Sequence, residues 1–310
     1  MKVALAQLAP VFLNRDATLE RVVAAIQEAA EGGASLVAFG EGLVPGYPVW
    51  LEPTEGARFE SERQKRLFAH YVDQAVQVEG SDLDGVRAAA RERELSVILG
   101  VIERDPRRGQ SVFATLLHVD QTGTIVAHHR KLMPTYEERL VWSPGDAHGL
   151  RVHEVGPFRV GALNCWENWM PLPRAALYAQ GETLHVAIWP GSRRNTEDIT
   201  RFLAREGRSY VVSVGSLLRP EDVPENVPDR SLMVSEVADF FTDGGSCVAS
   251  PTGEWVLEPC VGREALLFAE LDPELVRKER QSFDPAGHYA RPELLRLSVD
   301  RRRPGVDWLD

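Results

Sequence analysis

Short runs of apolar residues recur along the chain, each bounded by turn-forming residues and separated by stretches of helical period. Residues 3–8 form the first run, which Pro10 ends, and they predict a buried strand. Asp16 then precedes Leu19, Val22, Val23, Ile26 and Ala30, which share one helical stripe that Gly32 and Gly33 stop. Residues 35–39 are a second apolar run and lead directly into Gly40 and Glu41. Strand, helix, strand and then a polar residue at the strand's carboxyl end is the opening of a layered α/β fold.

The same alternation continues. Residues 86–95 predict a helix and 96–102 a buried strand, while 111–120 and 123–129 predict two strands around a Gln121-Thr122-Gly123 turn. Strands at 158–163 and 183–189 flank a helix at 172–180, and a helix at 196–208 leads to a strand at 210–217. Pro251-Thr252-Gly253 joins 246–250 to 254–257 as a hairpin, and 266–271 forms the last strand. Residues 53–66 and 219–229 read as loops. There is no fixed-period repeat, no Ser/Gly linker and no low-complexity tract. The simplest organisation is one domain over residues 1–283. An Arg- and Pro-rich tail, 284–310, then lies over the surface or over a neighbouring subunit.

Composition narrows the picture. The 310 residues are 44% hydrophobic and 26% charged, ordinary for a folded domain with a large core. A formal net charge of −11 repels phosphate backbones, so nucleic acid is not an expected partner. Three cysteines without a Cys-x-x-Cys pair do not form a disulfide framework and suit a reducing compartment. The N-terminal stretch reads as a strand rather than a leader, and no apolar run approaches the ~20 residues that span a bilayer. The expectation is a cytoplasmic protein without a membrane partner.

Three polar residues stand where predicted strands end: Glu41, Lys131 and Cys165. Loops at the carboxyl ends of strands gather distant side chains in such folds. A free thiol, with a pKa near ~8.5, is mostly protonated at neutral pH. It becomes a nucleophile when a cation stabilises its thiolate or a base takes its proton, roles open to Lys131 and Glu41. Each residue also has a plainer reading. The Cys can be a small buried apolar filler, the Glu a solvated cap, and Lys131 part of a basic turn with Arg130.

The flanking residues carry a resemblance. Phe39-Gly-Glu-Gly-Leu-Val-Pro-Gly-Tyr-Pro48, His129-Arg-Lys-Leu-Met-Pro-Thr-Tyr-Glu-Glu-Arg139 and Asn164-Cys-Trp-Glu-Asn-Trp-Met-Pro-Leu172 resemble the three motifs of the nitrilase superfamily of carbon–nitrogen hydrolases. Gly244-Gly-Ser-Cys247 and Gly287-His-Tyr-Ala-Arg-Pro292 resemble later family segments, in family order. One departure is Gly40, where the family usually has Pro. Cys-Trp-Glu-Asn with Lys-Leu-Met-Pro-Thr is similar to the true nitrilase branch, since the amidase and carbamoylase branches more often lack this Trp.

The resemblance implies a four-layer αββα sandwich and a Glu41–Lys131–Cys165 triad. It makes Glu138 a second glutamate beside them, although Glu138 also reads as an ion-pair partner of Arg139. The implied reaction converts an organic nitrile and water to a carboxylic acid and ammonia through a thioimidate and a thioester on Cys165, with no metal and no organic cofactor. An amidase or carbamoylase is the alternative within the superfamily, and a non-catalytic assembly protein the alternative of another class. Tyr47, Trp142, Trp166 and Trp189, with Trp50 and Tyr136, lie in or beside the motif loops and either wall a substrate pocket or pack in the core. His128 and His129 point to opposite faces of a strand and so do not share a metal ion. A surface that includes residues 174–180 resembles the family's pairing surface, which implies a homodimer or larger homo-oligomer.

Overall fold

Alternation along each strand sorts the apolar residues to two faces, and that sorting builds four layers. The computed structural model describes residues 1–235, 237 and 239–303. In β1 (Lys2–Gln7), Val3 and Leu5 point to one face and Ala4 and Ala6 to the other. The first pair meets a second sheet; the second pair meets helices.

The chain runs β1, α1 (Arg15–Glu31), β2 (Leu36–Phe39), α2 (Glu62–Gln74), α3 (Asp84–Glu92), β3 (Ser96–Arg104), β4 (Val112–Val119) and β5 (Ile125–Arg130). It continues through β6 (His153–Val155), β7 (Phe158–Asn164), α4 (Pro171–Tyr178), β8 (Leu184–Trp189), α5 (Arg193–Gly207), β9 (Tyr210–Gly215) and β10 (Leu217–Leu218). It closes with α6 (Arg230–Val234), β11 (Thr242–Ala249), β12 (Trp255–Val261), β13 (Ala265–Glu270) and α7 (Pro273–Glu279).

One sheet has the order β13-β1-β2-β3-β4-β5, and the other β10-β11-β9-β8-β7-β6 with β12 paired to β11. Within them β1-β2-β3 and β7-β8-β9 are parallel, so their carboxyl ends open toward the same loops. Leu36, Ala38 and Ile98 from the first sheet pack on Val186, Ile188 and Val212 from the second. Outside, α1 and α3 bury Val22, Ile26, Val86 and Ala90 against Val37, Val97 and Leu99. On the far side α5 sets Ile199, Leu203 and Ala204 against Ala187 and Val211. The result is the expected αββα sandwich.

Several boundaries differ from the sequence reading. Asn14, not Asp16, caps α1 and accepts the Ala17 N–H at 3.1 Å, leaving Asp16 in the first turn where its charge suits the helix dipole. The stretch read as a loop at 53–66 runs into α2, which buries only Leu67, Tyr71 and Val72 and so shows a narrow apolar stripe. β6 and α7 are too short to leave a periodic signal. Of the tail expected at 284–310, residues 304–310 lie outside the described residues. The Arg303 guanidinium donates to the His128 carbonyl at 2.9 Å and pairs with Asp146 at 3.1 Å, so the described tail folds back on its own chain beyond β5.

Candidate active site

Glu41, Lys131 and Cys165 follow β2, β5 and β7, and the two sheets bring these strand ends together. Glu41 is buried, with its N–H donating to the Trp189 carbonyl at 3.0 Å across the sheet interface. That approach explains Gly40: a Cβ there would lie 2.1 Å from Ser216 Oγ and 2.9 Å from the Trp189 carbonyl oxygen. No side chain fits, proline included.

Lys131 is fully buried and sits between two carboxylates. Its Nζ donates to Glu138 Oε2 at 2.7 Å and lies 3.0 Å from Glu41 Oε1. Neither Glu41 oxygen takes a well-aligned hydrogen bond among the described residues, so the Glu41–Lys131 contact is chiefly electrostatic and leaves the Glu41 lone pairs open to a proton. Glu138 lies in a 3₁₀ turn over Tyr136–Leu140, accepting from the Tyr47 hydroxyl at 2.8 Å and from the Thr135 N–H at 2.5 Å. Glu138 is therefore bound to Lys131 rather than to Arg139. Cys165 opens the 3₁₀ turn Cys165–Trp169 with φ +42, a left-handed conformation that a side chain strains. Its Sγ and carboxylate oxygens of Glu41 and Glu138 all lie within 4.8 Å of one another. By donor count these three groups are also a metal-type cluster, but the Lys131 ammonium already stands between the two carboxylates as their cation.

The charges interact strongly because Glu41, Lys131, Glu138 and Cys165 are all buried. Burial pushes the Glu41 carboxyl up to about 8, against the pull of Lys131 and with help from Glu138. Burial likewise drives the Cys165 thiol well above its usual range; Lys131 pulls it back, while Glu41 and Glu138 add to the rise. For Lys131, burial opposes the charge, but Cys165, Glu41 and Glu138 outweigh it and hold the ammonium above the ordinary lysine range. The proton of the thiol and the lone pair of Glu41 are thus both held inside the protein.

An open cavity of about 1390 Å³ reaches down to Cys165. Tyr47, Trp166, Tyr136, Met133, Leu140 and Met170 give it a mostly apolar wall. Two of the proposed wall residues lie elsewhere. Trp142 is buried behind Lys131, its ring 5.4 Å from Nζ and its indole N–H donating to the Tyr71 hydroxyl at 3.2 Å. Trp189 is fully buried with Ile199 and Leu203 and donates to Ser213 Oγ at 3.3 Å. Trp50 also belongs to the core, packed on Phe12 and Tyr71.

Some contacts escape the sequence reading. Glu167 accepts from Leu132 N at 2.7 Å and Asn164 N at 2.9 Å, with His129 Nε2 at 3.0 Å, and so braces the residue after Lys131 to the residue before Cys165. Burial opposes its charge, yet His129 and these N–H groups hold the carboxyl below the usual range. His128 turns the other way and meets Glu103 at 2.8 Å, as alternation along β5 requires. Arg194 and Asn195, at the start of α5, line the cavity without any sequence signal beyond their polarity.

Against known proteins, the sequence pattern of carbon–nitrogen hydrolases matches residues 2–281. The chain belongs to the carbon–nitrogen hydrolase family. Among relatives in the family, a protein named nitrilase 2 from an unknown prokaryotic organism is 38% identical over 98% of this chain and 94% of its own. An aliphatic nitrilase of Sinorhizobium fredii is 36% identical over 96% and 95%. Among solved structures, a carbon–nitrogen hydrolase from Helicobacter pylori superposes with a TM-score of 0.69 at 18% identity, covering 96% of this chain and 99% of that one. An amidase from Nesterenkonia sp. superposes at 0.64 and 21% identity, covering 91% and 94%. These two likenesses establish the shared fold.

Proposed function

We propose that the chain is a nitrilase that hydrolyses an organic nitrile to the carboxylic acid and ammonia. The observation that carries the choice of nitriles is the similarity, over nearly the whole of both chains, to proteins named nitrilase. The buried cluster at the foot of the cavity supports the chemistry.

In this reading Glu41 takes the thiol proton as Cys165 Sγ attacks the nitrile carbon, and the proton passes to the nitrile nitrogen to give a thioimidate. The Glu41 carboxyl, at about 8, is matched to accepting a proton near neutral pH. An ammonium has three N–H donors; Lys131 directs one to Glu138 and faces Glu41 with another, which leaves one for the charge developing on substrate nitrogen and later oxygen. Glu138, fixed by Tyr47, orients Lys131. Water activated by Glu41 adds to the thioimidate carbon, the carbon–nitrogen bond breaks and ammonia leaves. A second water cleaves the thioester, releasing the acid and restoring the thiol. Tyr47 and Trp166 stand on the wall that meets the nitrile's side chain. No step is assigned to a metal or organic cofactor.

The hydrolase domain is residues 1–283, with 284–310 as its tail. We place it in the cytoplasm, in keeping with three cysteines free of disulfides, and no described helix is long and apolar enough to cross a membrane. Trp169, Met170 and Leu172 expose an apolar surface beside residues 174–180 and support a homodimer or larger homo-oligomer.

Ammonia release from a panel of nitriles, each beside its matching amide, tests the reading. Faster turnover of nitriles, abolished in Cys165→Ala, is expected. Turnover of amides alone would move the chain to the amidase branch.

A further inference from the structure

Cys165 is held in a left-handed conformation that its own side chain does not favour, so contacts beyond the backbone of the turn must fix it. Its carbonyl oxygen accepts from Asn168 Nδ2 at 2.8 Å, and the same amide nitrogen lies 3.3 Å from the Leu163 carbonyl oxygen. One buried side chain thereby grips the backbone on both sides of the nucleophile. Two carbonyls on one side of Asn168 fix which end of its amide is nitrogen, and the oxygen therefore faces inward.

That oxygen, Oδ1, lies 2.7 Å from Nε2 of His185 on β8. An amide oxygen only accepts, so Nε2 must carry a proton. The other ring nitrogen, Nδ1, lies 2.8 Å from Glu182 Oε1, and one further proton sits between these two groups, whichever of them holds it. All three side chains are buried, and none lines the cavity. The carboxylate has room only because residue 161 on β7 is glycine: a Cβ there would lie 2.1 Å from Glu182 Oε1. Arg174, paired with Glu206 at 2.7 Å, donates to the Asn168 carbonyl at 2.8 Å and fixes the backbone of the same turn.

We propose that Glu182, His185 and Asn168 form a positioning relay that aims Cys165 Sγ, with Asn168 as the residue that acts on the nucleophile. Glu182 and the ring of His185 keep Nε2 a donor, this donor keeps the Asn168 amide in one orientation, and the amide keeps the Cys165 turn closed. The relay touches no substrate; it acts through the backbone of residues 163–165. The inference rests on Cys165 being the nucleophile and holds for nitrile or amide substrates alike.

The test compares two pairs of variants in the full chain, using whichever nitrile or amide the wild type turns over. Asn168→Asp keeps an acceptor toward His185 but turns an acceptor toward the Cys165 carbonyl; Asn168→Ser removes the reach. His185→Gln retains a donor toward Asn168, and His185→Leu has none. The expected result is a fall in kcat of about 100-fold in Asn168→Asp and His185→Leu with KM held within about twofold, since small misplacements of a reacting group cost rates of this order. Alkylation of Cys165 by iodoacetamide should slow in parallel, and His185→Gln should recover most of both losses. Equal activity in His185→Gln and His185→Leu, or wild-type kcat and alkylation in both Asn168 variants, would overturn the relay. If Cys165→Ala keeps full turnover, the nucleophile assignment itself fails, and the alkylation rates still report on the relay separately.

Discussion

The Glu167 carboxylate accepts the backbone N–H of Leu132 at 2.7 Å, which ties the loop carrying Cys165 to the loop carrying Lys131. Glu167 also holds the Asn164 N–H and meets His129, so one buried group coordinates two strand ends. Replacing it with Gln keeps the volume but exchanges an acceptor oxygen for a donor that faces an N–H. Such an unsatisfied buried group costs about 1–3 kcal/mol. Urea unfolding of Glu167→Gln should show a loss of this size, and activity should fall with it even though the residue is off the cavity wall.

Activity should depend on the proton of Glu41. As the proposed base, Glu41 must be ionised to accept the thiol proton, and burial raises this carboxyl to about 8. The value of kcat/KM is therefore expected to climb as pH rises through the region of 8. Stability should move the opposite way. The folded protein keeps this proton between the ordinary carboxylate range and about 8, where the unfolded chain has lost it, so the Glu41 contribution declines across that window as pH rises. Thermal melts from pH 5 to 9 should show Glu41→Gln gaining on the wild type at the alkaline end; a constant difference would contradict the assignment.

Glu138 and Tyr47 should separate by magnitude. Glu138 holds Lys131 directly at 2.7 Å, and Tyr47 reaches Lys131 only through Glu138. Steady-state kinetics should show kcat falling by about 100- to 1,000-fold in Glu138→Gln, the scale of losing one preorganised electrostatic contact, and by about tenfold in Tyr47→Phe. The reverse order would mean that the Tyr47 hydroxyl acts on the reacting atoms directly and not through Glu138.

Gly40 makes a stability prediction. Its missing side chain lets the backbone of Glu41 approach Ser216 and the Trp189 carbonyl. Gly40→Ala should cost about 1–3 kcal/mol, the usual range for overpacking, read from the denaturation midpoint. It should also lower kcat, because any relief moves Glu41.

Much of this was legible in the sequence for a physical reason. Buried parallel strands read as apolar runs, unbroken in 36–39 and interrupted only by His185 in 184–189, and α1 shows a clear stripe, so the layered fold follows from periodicity. Glu41, Lys131 and Cys165 stand out as polar residues where predicted strands end. The motif-based choice of Glu138 coincides with a direct contact to Lys131. Trp142 and Trp189 were harder, because an aromatic residue near a motif is apolar whether it faces a substrate or a core. Their indole N–H groups have found Tyr71 and Ser213 instead. Glu182 and His185 gave no signal at all. Buried polar residues inside apolar segments acquire meaning only when folding brings their partners within hydrogen-bond reach.

In the proposed reaction Cys165 forms a covalent bond to the substrate carbon. Rapid acid quenching of wild-type protein during nitrile turnover, followed by intact and peptide mass measurement, tests it most directly. An adduct of thioimidate or thioester mass is expected on the peptide containing Cys165, absent in Cys165→Ala together with turnover. Continued ammonia release by Cys165→Ala, or an adduct confined to Cys247 or Cys260, would contradict it.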